Sequence, residues 1–122
     1  MSTAAKIPLE TQIEALAHRH AHEILKSHGI DALDIKPHFS VTRRALVSYL
    51  REHPDLARSY LLVSPGVRPY HDQIVVEQRG ERFAVYDMDH GRPRGEQIYA
   101  DLFEAVADFL AFTYGYGFKA EV

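Results

Sequence analysis

Cysteine is absent from all 122 residues, which excludes disulfides and thiolate metal sites and suits a reducing compartment. No run approaches the roughly 18 apolar residues that a membrane-spanning helix needs. The opening MSTAAKIPLE lacks the apolar centre of a secretory signal, so a cytoplasmic location is expected. Charge of one sign is also scarce: 14 Lys and Arg stand against 17 Asp and Glu, a net of −3. That balance argues against nucleic acid as a partner, because phosphate binding needs a basic patch. Gly91, Gly95, Gly115 and Gly117 fit no phosphate-cradling spacing, and no serine or threonine occupies a nucleophile-elbow context.

What remains is an ordinary globular composition, 46% hydrophobic and 25% charged, long enough to bury a core in a single domain without staples. Residues 1–6 read as a frayed tail. From Pro8 onward Ile13, Leu16, Ala17, His20, Ala21, Ile24, Leu25 and His28 recur at three- and four-residue intervals. They predict one long amphipathic helix over 9–28, with Gly29 as its stop. A connector holding Pro37 follows. Thr42 then caps a second helix from Arg43 to about His53, which Pro54 ends by pushing the preceding residue out of the helical region. A further turn over Asp55–Ser59 and a short extended piece at Tyr60–Val63 are both compatible with the chain.

Gln73–Arg79 and Glu81–Met88 are rich in β-branched and aromatic residues and predict a hairpin turning at Arg79-Gly80. That register sets Glu77 against Arg82, Val76 against Phe83 and Ile74 against Val85, with Ile74, Val76, Phe83 and Val85 on one face. The other face carries Val75, Ala84, Tyr86 and Met88 and calls for some cover. Asp87–Gly95 reads as a polar loop, followed by a third strand. A last helix is framed by Asp101-x-x-Glu104 as its cap and Gly115 as a left-handed stop. The fold class expected is α+β: N-terminal helices packed on a small antiparallel sheet, followed by a C-terminal helix.

Three groups of residues could carry chemistry. His18 and His22 are four apart, which on a continuous helix puts two imidazoles on one face where they could chelate a divalent ion. The residue after the first histidine is Arg19, however, where a zinc hydrolase places glutamate, and a solvated face explains the pair more simply. Asp87, Asp89 and His90 could do general acid–base work, although aspartate and glycine are also what turns use. Arg43, Arg44, Arg51 and Arg58 make the second helix basic while the last helix is acidic. Each is a solvated face, or the two pair with each other, or they dock a partner by charge. Since the metal reading is the weaker one, melting in excess chelator is expected to match melting without it. A drop of many degrees would restore a metal site, because metal-binding free energy appears as folding free energy.

A cysteine-free α+β layout ending in EQIYADLFEAVADFLAFTYG, behind a hairpin and a charged loop, resembles the small cytoplasmic immunity proteins that accompany bacterial polymorphic toxins. The resemblance covers Ile74–Gly115. It implies a protein that binds one cognate toxin domain and occludes or distorts its active site, with no cofactor and no chemistry of its own. The contact surface expected for it is the rim opposite the Arg79-Gly80 turn, shared by the loops that enter and leave the hairpin: Arg68, Tyr70, His71 and Asp72 entering, Asp87, Asp89, His90, Arg92 and Arg94 leaving. The competing readings are a small metal- or ligand-binding enzyme using His18/His22 or the Asp87–His90 loop, and a scaffold that dimerises through Tyr114, Tyr116 and Phe118.

Overall fold

The structure, a computed structural model, describes residues 7–62 and 73–119. The expected tail over 1–6 and the Ser64–Asp72 loop lie outside the described residues.

Helices α1 (Leu9–Ala17) and α2 (Ala21–Ser27) occupy the span expected to be one helix. The apolar spacing runs unbroken through both, and Leu16, Ala17, Ala21 and Leu25 are all fully buried. The backbone nevertheless stops and restarts. The Arg19 amide donates to the Leu16 carbonyl at 3.2 Å and the His20 amide to that of Ala15 at 2.7 Å, the paired bonds of a Schellman stop. The groups orphaned by the break find partners far along the chain. The Tyr60 hydroxyl donates to the Ala17 carbonyl at 2.6 Å, and the Tyr114 hydroxyl accepts from the Ala21 amide at 3.3 Å.

After α2 a 3₁₀ turn, Lys36–His38, built around Pro37, delivers Ile35, Phe39 and Val41 into the core. Helix α3 (Arg43–Glu52) starts where Thr42 Oγ1 accepts from the Ala45 amide at 3.1 Å, and α4 (Pro54–Arg58) is the short turn beyond Pro54. Leu61 then makes an isolated parallel bridge to Val76.

Strands β1 (Gln73–Arg79), β2 (Arg82–Asp89) and β3 (Arg92–Tyr99) form one antiparallel sheet in that order. Helix α5 (Leu102–Tyr114) follows. The Asp101 carboxylate caps its start, accepting from the Phe103 amide at 2.9 Å, and Gly115 at φ 60° stops it. The helix lies between α3 and the sheet. Its Val106, Phe109 and Leu110 join Val76 and Val85 and the partly buried Ile74 and Phe83 in the main core. This is the expected α+β arrangement.

The register differs from the expected one. Val76 faces Val85, Gln78 faces Phe83, and Arg79 faces Arg82 around a Gly80-Glu81 turn. Gly80 has φ 62°, and a two-residue loop with glycine first follows the II′ pattern. The turn therefore moves by one residue and the pairing by two, which keeps every side chain on its expected face. Glu77 faces Ala84 rather than Arg82 and takes its counter-ion from Arg79 on its own strand, at 2.8 Å. On that second face Val75, Ala84, Tyr86 and Met88 are all buried, with Leu62 packed against them.

Candidate functional site

The segment expected to be a loop over Asp87–Gly95 is instead the far end of a second hairpin. Strand β2 runs to Asp89, His90 and Gly91 turn at φ 52° and 79°, and β3 begins at Arg92. Two consecutive positive φ values match a type I′ turn, whose twist suits flanking strands. A regular ladder then sets Asp89 against Arg92 and Asp87 against Arg94, so four of the charged residues expected at the site share one face of the sheet. Charge alternates across the strands, acid on β2 and base on β3. The Arg94 Nε lies 3.1 Å from Asp89 Oδ2, and His90 Nδ1 lies 2.6 Å from Asp89 Oδ1. Asp87, His90, Arg92 and Arg94 are exposed.

A bulge between Val85 and Asp87 in the β2–β3 pairing, with Gly95 at φ 64°, kinks β3. Pro93 faces Met88, and beside a two-residue turn that pair falls between the hydrogen-bonded ones, so the proline nitrogen points away from the sheet. Together the proline, the bulge and the charges blunt β3 as an edge for strand addition. Where the sheet runs past the end of α5, a hollow of about 210 Å³ opens between Ile74, Val85, Asp87, Arg94 and Phe112. Phe112 is 51% exposed there. Neither it nor the half-exposed Ile98 on β3 stands out in the sequence, because a single aromatic or isoleucine beside a core run carries no local sign of exposure.

Strand β1 begins at Gln73, opposite Met88, so the chain enters β1 at the same end of the sheet as the His90-Gly91 turn. Arg68, Tyr70, His71 and Asp72 lie outside the described residues.

The basic helix and the acidic helix pair with each other. Arg43 donates through Nε and Nη2 to the two oxygens of Asp108, at 2.8 and 3.2 Å, and through Nη1 to Glu104 at 2.7 Å. The Tyr99 hydroxyl adds a third donor to Asp108 at 2.6 Å. Arg51 pairs with Asp101 and lies over the Phe103 ring, 5.3 Å from its centre. Hydrogen bonding to Asp108 holds the Arg43 pKa above its usual value against the opposing effect of desolvation. Glu104 and Asp108 are thus the α5 side of a clamp onto α3, the pairing of acidic with basic helix that the sequence left as one alternative.

The break between α1 and α2 takes His18 and His22 off any common helical face. His18 Nε2 sits 3.0 Å from the Tyr49 hydroxyl, whereas His22 Nε2 donates to the Leu33 carbonyl at 2.9 Å. His20 pairs with Glu23 at 2.8 Å, and His53 stacks on the Tyr49 ring at 4.1 Å. Among the described residues no group of three or more His, Asp or Glu is arranged to hold a metal ion. No helix there is long and apolar enough to cross a membrane. Comparison with protein families, with curated proteins and with solved structures returned no match.

Proposed function

We propose that the protein is a binding module of the immunity type, which engages a cognate bacterial toxin domain and occludes its active site. The observation that carries this reading is the β2–β3 hairpin tip. It sets Asp87, Asp89, Arg92 and Arg94 side by side on one exposed face, next to the apolar hollow at Phe112. Mixed charge around an apolar centre is the composition of a protein interface, in which a few residues carry most of the energy. The tip stands on a rigid ladder, so little conformational entropy is lost on docking. Its carboxylates are matched by arginines on the neighbouring strand, which suits recognition by charge pairing better than proton transfer. The test is the combined Asp87→Ala, Asp89→Ala, Arg92→Ala variant, confirmed first to melt with the parent. Its ability to bind and neutralise a cognate toxin domain is expected to fall at least tenfold. Undiminished neutralisation would remove the tip from the interface and turn attention to the α3–α5 surface.

A further inference from the structure

Helix α3 carries opposite charge on its two flanks. Leu46 and Leu50 are fully buried and set its inward face. Ser48, two residues from each, points the other way at about 3.6 residues per turn, and it is exposed. On the α5 side of that crest a hollow of about 620 Å³ is walled by Arg43, Arg44, Arg51 and Lys119, with Glu104 the one acid among the described residues that line it. On the α1 side a second hollow, of about 390 Å³, is rimmed by Glu10, Glu14 and Glu52 around the half-buried Ile13, Ala45 and Tyr49. Ser48 lines both.

The fold does not neutralise the two flanks equally. Arg43 and Arg51 give donors to Asp108, Glu104 and Asp101, and the exposed Arg44 and Lys119 extend the positive flank beyond them. Glu10, Glu14 and Glu52 are exposed, and among the described residues no cation pairs with any of them. Glu10 and Glu14 stand four apart on α1, a like-charge spacing that lowers helix stability. Three carboxylates gathered at a partly apolar groove are therefore left to find their counter-ions outside the fold. The matching cations lie on the opposite flank of the same helix, where they do not pair with the groove within one copy.

We infer that the two hollows are halves of one self-complementary surface, and that a second copy of this chain occupies both. The contact is isologous, the same patch meeting itself about a two-fold axis. The charges select the direction of that axis. With the axis along α3, the positive flank of each copy lies over the acidic groove of the other, and the pairing is made twice. With the axis across α3, base would meet base and acid would meet acid, which like charge rejects. The two α3 helices thus lie parallel, crest to crest at Ser48, whose small neutral side chain lets them approach. Apolar contact is confined to Val47 on one flank and Ile13, Ala45 and Tyr49 on the other. The dimer is accordingly held by charge, and it is weak and sensitive to salt. None of the hairpin-tip residues lines either hollow, so this surface stands or falls separately from the tip.

The experiment is sedimentation equilibrium of the full chain over a wide range of concentration. At low salt the average mass of the parent is expected to climb from that of one chain toward that of two. In molar salt, where the Debye length is about 3 Å, it should stay at one. Two charge-reversed forms follow: Glu14→Lys with Glu52→Lys, and Arg44→Glu with Lys119→Glu. Lysine suits both positions of the first form, four residues after Glu10 and at the C-terminal end of α3. Each form alone is expected to remain a monomer at low salt. Their equimolar mixture should associate again, because the reversed flank of each then meets an opposite charge on the other. A parent that stays monomeric at low salt would overturn the proposal without recourse to any variant. So would a dimer that survives molar salt, one that persists in both reversed forms, or a mixture that fails to recover association.

Discussion

Replacing Arg79 with alanine is expected to destabilise the protein by about 3–5 kcal/mol, the range for removing one partner of a buried ion pair. Glu77 is only 3% exposed, and Arg79 Nε donates to its Oε1 at 2.8 Å. The same guanidinium reaches Glu96 on β3, with Nη2 2.6 Å from Oε1, and lies over the Tyr86 ring at 5.7 Å. It thus ties β1 to β3 across the middle strand and neutralises a carboxylate that water does not reach. Both acids, Glu96 first, hold the Arg79 pKa above its ordinary value. The double replacement Glu77→Met, Arg79→Met is expected to cost far less than the single one, because no buried charge is left behind. Urea unfolding of the three proteins measures both differences. If Arg79→Ala loses less than about 1 kcal/mol, Glu77 is solvated by some other route and the pair is incidental.

The layers of this fold were legible because they rest on local chemistry. Thr42 and Asp101 cap helices where the sequence says they should, Gly29 and Gly115 stop them, and period-two alternation assigns the faces of β1 and β2 correctly. The break at His18–His20 was not legible, because its causes lie elsewhere in the chain. Its hydroxyl partners come from Tyr60 and Tyr114, and the stop itself uses arginine where a reader looks for glycine. The second hairpin was hidden for a different reason. On an exposed edge strand nearly every residue can be polar, so Arg92–Gly95, the first half of β3, reads as loop. The signal that could have revealed it is the mirrored charge about His90-Gly91: Asp87 and Asp89 on one side, Arg92 and Arg94 on the other. Equal spacing of opposite charges around a dipeptide ending in glycine is what a two-residue hairpin requires. The α3–α5 clamp was legible as a complementarity of helices but not as a pairing, since nothing local indicates which carboxylate Arg43 will choose.

Alkaline solution is expected to unfold this protein earlier than its arginine pairs alone suggest, because tyrosine hydroxyls serve as structural donors. Tyr60 and Tyr116 donate to backbone carbonyls, of Ala17 and Val41, and Tyr99 donates to Asp108. Burial pushes the hydroxyl pKa of Tyr60, Tyr99, Tyr114 and Tyr116 upward, and for Tyr99 the hydrogen bond to Asp108 and its charge add to the shift. A group whose pKa is raised on folding contributes stability that is intact below its unfolded value and is lost as pH climbs toward the folded one. Unfolded tyrosine titrates near pH 10, so stability should be level below about pH 9 and fall steeply above pH 10. By about pH 11 an unscreened tyrosine accounts for about 1.4 kcal/mol. Partial exposure reduces this, and the four together should cost on the order of 3 kcal/mol. Urea midpoints measured from pH 8 to pH 11.5 give the profile. Tyr99→Phe should start lower, having lost the Asp108 contact, and then decline less steeply with pH than the parent. A parent midpoint that stays flat through pH 11 would mean that these hydroxyls ionise as readily in the fold as in the open chain, and the tyrosine staples at Ala17, Val41 and Asp108 would then contribute little.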